Sequence, residues 1–377
     1  MIIIKKQNYT PREINFSKND CNITLFTSAS HGGVWLMHLI DVLIWLINQL
    51  QSEKNYLLKS YQHAIVKKDL AAGGMVGLSD LIFRRTDQSG LKWSEIVSMQ
   101  SQGNVLSKNI TEGSCITKND FNKAKVGVII ACRMKSSRLK NKAVLPINGL
   151  TSVERCIQSC EKIHSADEII LATSTLDEDL VLKNHTLDHT AKFFQGDPED
   201  VIKRYIDACD KFKVDVIIRV TADCPVVSAE ISEILLKSHF EAGADYTAAK
   251  SCSVGSSVEI YNTEALRRVI LLMGNAKHSE YMTWYMQNNS DIFKLNIIDL
   301  PIDLQRDYRL TLDYPEDLEM FNQLFNELGG KNLDPNIRNV FKVLDENLSI
   351  PMLNQHLTLS YKTDQKLIEK LNKETKI

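Results

Sequence analysis

Short apolar runs alternate with amphipathic stretches from Lys125 to about Leu344. The β-branched or aromatic runs at 126–132, 168–173, 191–195 and 214–220 predict strands. The intervening periodicity predicts helices at 151–163, 198–212, 228–241, 263–273 and 277–289. A further strand is expected at 308–313. It leads into Pro315, Glu316 and Asp317, where proline in the first turn and acids at the positive dipole end start a helix. Such alternation makes an α/β fold, a mostly parallel sheet with helices on both faces. From 351 to 377 the chain is a polar, Lys-rich, weakly helical tail.

Upstream the pattern changes. Residues 1–58 hold a short strand-like start, a turn at His31, Gly32 and Gly33, and an apolar helix over 33–50. His38, Asp41 and Asn48 interrupt that helix, so it reads as a packed or interface helix rather than a membrane span. Residues 59–123 contain an internal repeat with an offset of 40. VKKDLAAG at 66–73 is echoed by LSKNITEG at 106–113, and Asp80-Leu81 by Asp120-Phe121. Each copy predicts a short strand, a polar turn closed by glycine, then an apolar pair and a capped turn. The α/β domain is expected to span 124–350.

Length and charge narrow the reading. At 377 residues the chain has room for two or three domains. Lys+Arg 45 against Asp+Glu 47 leaves a net charge of -2, so no global field favours nucleic acid or an anionic membrane. Eight cysteines are scattered without metal-ligand spacing, as suits a reducing compartment. The start MIIIKKQNYTPRE lacks the apolar region and cleavage site of a secretory leader, so a cytoplasmic location is expected. The apolar faces of helix 33–50 and of the repeat module point to a homo-oligomer, a dimer.

Against that neutral background, the loop after the strand ending near Ala131 stands out. It carries Arg133, Lys135, Ser136, Ser137, Arg138, Lys140 and Lys142. Cations and hydroxyls at the carboxyl end of a buried strand suit a polyanion such as a nucleoside triphosphate. A solvated basic loop would read the same if it stood alone. Three more predicted strand ends agree with the first reading. LATSTLDED at 171–179 ends in Thr173, Ser174 and Thr175, hydroxyls able to read a base or ribose. RVTADCP at 219–225 brings Thr221 and Asp223 to a terminus that Pro225 closes. RLTLDYPED at 309–317 ends its strand at Asp313, with Asp317 placed to cap or orient. Asp223 and Asp313 can share Mg²⁺, which takes one or two carboxylates and completes its octahedron with water and phosphate oxygens.

These segments resemble the spore-coat polysaccharide cytidylyltransferase family, relatives of the CMP-sialic acid and CMP-Kdo synthetases. CRMKSSRLKNK at 132–142 matches the family's basic loop and GDPEDVIKRY at 196–205 its glycine-led helix start. RVTADCP and DYPED at 313–317 match its two acidic strand ends. The resemblance implies a nucleotide-diphospho-sugar transferase fold over about 125–325. It also implies Mg²⁺-dependent transfer from CTP to a sugar acid of the sialic or legionaminic type. Arg133, Lys142 and Asp223 would be catalytic. Ala131, Ser136, Ser137, Arg138, Thr173, Ser174 and Thr221 would join them around the nucleotide. The acceptor motifs have changed: GSSVE at 255–259 has Ser257 in place of Asp, and SEYMT stands at 279–283. Glu259 and Glu280 are the sugar-hydroxyl candidates there. Lys140 replaces the loop's proline. The repeat module resembles the antifreeze-like (SAF) domain of sialic acid synthases, which implies a sugar contact for Arg85 in IFRRTDQSG at 82–90. A sugar-1-phosphate guanylyl- or uridylyltransferase, and a non-catalytic sugar- or nucleotide-binding scaffold, stay open on these residues.

Overall fold

The computed structural model describes residues 12–18, 21–27, 43–53, 56, 62–86, 88–274, 276–358 and 363–377. It divides into two units. One comprises Met1–Gln62 with Arg85–Asp87, the other His63–Arg84 with Gln88–Ile377. Within the first, β1 (Arg12–Lys18) and β2 (Cys21–Thr27) pair as an antiparallel hairpin, and helix α1 covers 43–53. Ile44, Trp45, Ile47 and Leu50 of α1 are exposed. The turn at 31–33 and the first part of the helix expected at 33–50 lie outside the described residues.

The second unit begins with the repeat. β3 (His63–Val66) pairs antiparallel with β4 (Leu81–Arg84); after helix α2 (Trp93–Ser101), β5 (Asn104–Leu106) pairs likewise with β6 (Phe121–Lys123). The offset of 40 becomes a local two-fold. Leu70 and Ile110 exchange both backbone hydrogen bonds, and Gly73 N–H donates to Leu106 O as Gly113 N–H does to Val66 O. Gly73 and Gly113 have φ of 76° and 80°, a left-handed turn that explains why glycine recurs there. Asp80 accepts from Gly77 N–H and pairs with Lys68; Asp120 accepts from Thr117 N–H and pairs with Lys108. The repeated polar letters are thus the turn caps, and Ala64, Val66, Leu70, Leu106, Ile110 and Ile116 form the module's own core.

The sheet that follows contains β7 (Val126–Ala131), β10 (Glu168–Ser174), β11 (Lys192–Gly196), β12 (Val216–Thr221), β13 (Tyr246–Ala249), β14 (Glu259–Asn262) and β15 (Leu295–Ile298). A small hairpin, β8 (Pro146–Ile147) and β9 (Leu150–Thr151), lies outside it. The strand order is β11-β10-β7-β12-β14-β13-β15. Only β14 runs against its neighbours. Alternate strand residues feed opposite faces. Val128, Ile130 and Ile218 join the core under α3 (Ser152–Cys160), α5 (Ala229–Ala242), α8 (Pro315–Gly330) and α9 (Ile337–Glu346). Ile129, Ile170 and Ile217 join the core under α4 (Val201–Phe212), α6 (Thr263–Met273) and α7 (Met282–Gln287). Near-continuous Val/Ile runs follow from burial on both faces. A last helix, α10 (Gln365–Glu374), lies in the C-terminal tail.

Two expected elements differ. Residues 308–313 run extended but form no sheet strand. Their partners are loops: Leu310 N–H donates to Val254 O at 2.7 Å and Leu312 N–H to Asp223 O at 2.7 Å. The helix expected at 277–289 is broken. His278 is left-handed (φ 54°), Ser279–Tyr281 form a single 3₁₀ turn, and α7 starts only at Met282. β13, β14 and β15, four residues each, are additional strands.

Candidate active site

Three parallel strands end level with one another. Ala131 of β7 stands opposite Ala172 of β10 on one side and Thr221 of β12 on the other. Beyond this line Cys132 N–H still donates to Ala172 O and Ala222 N–H to Ala131 O, both at 3.1 Å. The basic loop therefore leaves from the centre of the sheet's carboxyl edge, where open α/β sheets hold their ligands. Asp179 fixes its start, accepting from Met134 N–H at 2.6 Å and from the Ser174 hydroxyl. Asn141 fixes its end. Its left-handed φ of 56° turns the chain so that Lys142 opens a 3₁₀ turn at the sheet edge.

Lys142 Nζ sits between two carboxylates, 2.7 Å from Asp223 Oδ2 and 2.9 Å from Asp313 Oδ1. Arg138 reaches the same Asp313 oxygen at 2.7 Å and lies over the Tyr314 ring. Burial alone would raise the Asp223 pKa, but the Lys142 ammonium outweighs it and holds the carboxyl below its ordinary range. Burial likewise opposes charge on Lys142, yet the two carboxylates raise its pKa above the ordinary value. Asp223 and Lys142 thus hold each other in their charged forms. Two carboxylates converging on one positive charge have the donor set that Mg²⁺ uses beside phosphates, so Asp223 and Asp313 fit that ion.

The segment carrying Asp313 is rigidly set. Gly255 has φ 87°, and a Cβ there would lie 2.1 Å from Leu310 O, so glycine alone allows the 308–313 segment to lie against 254–256. Asp317 accepts from the backbone N–H groups of Asp313 and Tyr314 at 2.8 and 2.9 Å, from Arg309 Nε at 2.8 Å and from Asn354 Nδ2 at 2.8 Å. It caps α8 and orients Asp313, while Arg309 links both acids.

A second group of side chains lies on the β11–α4 side. Arg133 approaches Pro198 O at 3.4 Å and Glu280 at 3.6 Å. The buried Arg204 holds the turn at 197–198 by donating to Asp197 O and Pro198 O, and Asp200 caps α4. Ser279 Oγ accepts from Val201 N–H at 2.8 Å. Glu280 is exposed and reaches toward the basic loop. Glu259 is committed elsewhere: it pairs with Arg219 across β12 and β14 and accepts from the Tyr246 and Thr283 hydroxyls at 2.6 Å. Its carboxylate is a half-buried structural hub.

Of the remaining residues expected from sequence, Ser136 and Ser137 stand on the loop without entering the ion-pair cluster. Thr173 is fully buried with an unpartnered hydroxyl, and Ser174 is engaged with Asp179. The Thr221 hydroxyl meets Cys224 Sγ. Arg85 is exposed and groups with the N-terminal unit. Asp179, Arg309 and Tyr314 were not singled out by sequence reasoning, although each lies inside or beside a strand-end motif.

A doubly covered, mostly parallel sheet with a basic loop and two acids at its carboxyl edge is the architecture of a nucleotidyltransferase. The chain belongs to the cytidylyltransferase family, whose model matches residues 127–350. It is therefore an enzyme class that transfers a cytidylyl group from CTP. The spore coat polysaccharide biosynthesis protein SpsF of Bacillus subtilis is 30% identical over 207 residues, which cover 53% of this chain and 86% of that protein. An uncharacterized protein of Methanocaldococcus jannaschii is 30% identical over 234 residues, covering 61% and 94%. The solved structure of a cytidylyltransferase from Leptospira borgpetersenii superposes with a TM-score of 0.56 at 22% identity, covering 63% of this chain and 99% of that one. It shares the fold. Among the described residues no helix is long and apolar enough to cross a membrane.

Proposed function

We propose that the chain activates a sugar acid, a nonulosonate of the sialic or legionaminic type, by transferring CMP from CTP with release of pyrophosphate, for surface glycan synthesis. The observation that carries the chemistry is the Lys142 ammonium between Asp223 and Asp313, with Arg138 on the same acid. The relative named for spore coat polysaccharide biosynthesis supports a glycan product. The two-fold repeat module supports the sugar-acid choice, because the resembling antifreeze-like domain accompanies enzymes that make such acids.

In this mechanism the acceptor's anomeric hydroxyl oxygen bonds to the α-phosphorus, the bond from that phosphorus to the β-bridging oxygen breaks, and the hydroxyl proton leaves to solvent. Arg133, Arg138 and Lys142 hold the triphosphate, arginine as a two-pronged donor and lysine as a point charge. Arriving phosphate oxygens exchange with Asp313 and Asp223 as the partners of Arg138 and Lys142, so the site holds its cations preorganised before substrate binds. Asp223 and Asp313 would hold Mg²⁺, which when bound polarises the α-phosphate. Asp317 and Arg309 keep Asp313 in place, and Glu280 faces the acceptor beside Arg133.

The test is pyrophosphate release from ATP, CTP, GTP and UTP with N-acetylneuraminate and with aldose 1-phosphates, each with Mg²⁺. Turnover confined to CTP and the sugar acid is expected. Turnover only with GTP or UTP and an aldose 1-phosphate would overturn the reading.

A further inference from the structure

The residues that face the proposed acceptor are held from outside the family-matched region, which ends at 350. Segment 278–283 joins three parts of the site: Ser279 to Val201 N–H, Glu280 to Arg133, and Thr283 to Glu259. Yet its own backbone is irregular. His278 is left-handed, and the 3₁₀ turn that follows has no side-chain cap. Something else must keep it in position.

The C-terminal helix α10 provides that hold. Glu374 Oε2 lies 3.0 Å from His278 Nε2 at the start of the segment. At its far side, Asn288 Nδ2 donates to Thr375 Oγ1 at 2.7 Å and Asn289 Nδ2 to Thr375 O at 2.8 Å. Ile377 N–H donates to Asn289 Oδ1 at 2.8 Å, and Lys376 Nζ to Asn288 O at 2.7 Å. Leu371 and Thr375 are fully buried. The end of α10 and residues 375–377 thus hold the chain at His278, before the segment, and at 288–289, just after α7.

We infer that α10 is a strap that positions segment 278–283 on the acceptor side of the site, with Glu374 a positioning residue acting through His278. Among the described residues the strap makes no hydrogen bond or ion pair to the basic loop, Asp223 or Asp313, so its effect falls on the acceptor rather than on CTP. The acceptor half of this inference rests on the function proposed above.

The experiment compares the full chain with Glu374→Ala and with Glu374→Gln, which retains a hydrogen-bond acceptor for His278. Hydrogen exchange at amides 279–283 should quicken roughly fivefold or more in Glu374→Ala and return toward wild type in Glu374→Gln. Calorimetry with CTP should give a Kd within about twofold of wild type in both variants, while the KM for N-acetylneuraminate rises roughly fivefold in Glu374→Ala alone. Unchanged exchange, or equal losses for CTP and acceptor, overturns the strap. Absence of any turnover of N-acetylneuraminate by the wild-type enzyme sinks the sugar-acid reading instead, because exchange is read without an acceptor.

Discussion

Lys142 and Asp223 meet at 2.7 Å at the carboxyl edge of the sheet, and the same ammonium holds Asp313 at 2.9 Å. Removing the lysine leaves two acids facing each other in a largely buried place. Lys142→Met is expected to lose activity and to cost on the order of 3 kcal/mol of stability, because a buried charge loses its partner. Adding Asp223→Asn to that variant should recover part of the stability and none of the activity. Urea unfolding and pyrophosphate release measure the two separately.

Gly255 and Gly274 both have positive φ, 87° and 72°, but only Gly255 is crowded. Gly274→Ala should cost on the order of 2 kcal/mol from the positive-φ backbone alone and leave catalysis intact. Gly255→Ala adds a collision with Leu310 O, displaces the segment that carries Asp313, and should reduce kcat by at least about tenfold. Equal effects of the two substitutions on kcat would show that the 308–313 segment does not set Asp313.

Glu259 and Glu280 were equivalent candidates for sugar hydroxyls, and the structure separates them. Glu259→Gln strips the half-buried Arg219 of its counter-charge and should lower stability by on the order of 2 kcal/mol. Glu280→Gln removes only the charge of an exposed side chain and should leave the melting temperature near wild type while the acceptor KM rises. Thermal unfolding of both variants, with steady-state kinetics of the second, checks the contrast.

His239 is buried on α5 with Nδ1 beside the Thr247 hydroxyl and Nε2 unpartnered. Burial pulls its pKa down from 6.5 to about 3. At pH 5 the unfolded chain takes up a proton that the native state does not. Stability is therefore full above pH 6.5 and falls as pH drops through that window, by at most ~1.4 kcal/mol per pH unit from this group. His239→Leu should flatten the wild-type difference in urea stability between pH 7.5 and 5.5; Thr247 keeps Asn296 as a partner in the variant.

Much of this was legible in the chain. β7, β10 and β12 are buried on both faces, so they read as near-continuous apolar runs, and the basic loop after β7 and the acid after β12 stood out by contrast. The repeat was legible because the same letters perform the same turn-capping task twice, as with Asp80 and Asp120. β14 was not, since two of its four residues are polar: Glu259 serves a half-buried ion-pair network and Asn262 caps α6. The 308–313 segment alternates like a strand, yet its hydrogen bonds go to Val254 and Asp223, a long-range pairing that local pattern does not encode. For the same reason the sequence marked Lys142, Asp223 and Asp313 as separate candidates. Their convergence on one ammonium needs residues 81 and 171 positions apart to meet.

The most direct measurement is the rate of pyrophosphate release from CTP and N-acetylneuraminate with Mg²⁺, for the wild type and for Asp223→Asn and Asp313→Asn. Cytidylyl transfer at this cluster requires each variant to lose at least about a hundredfold in kcat while remaining folded, the scale of a lost electrostatic contribution. Full activity in both variants would contradict it.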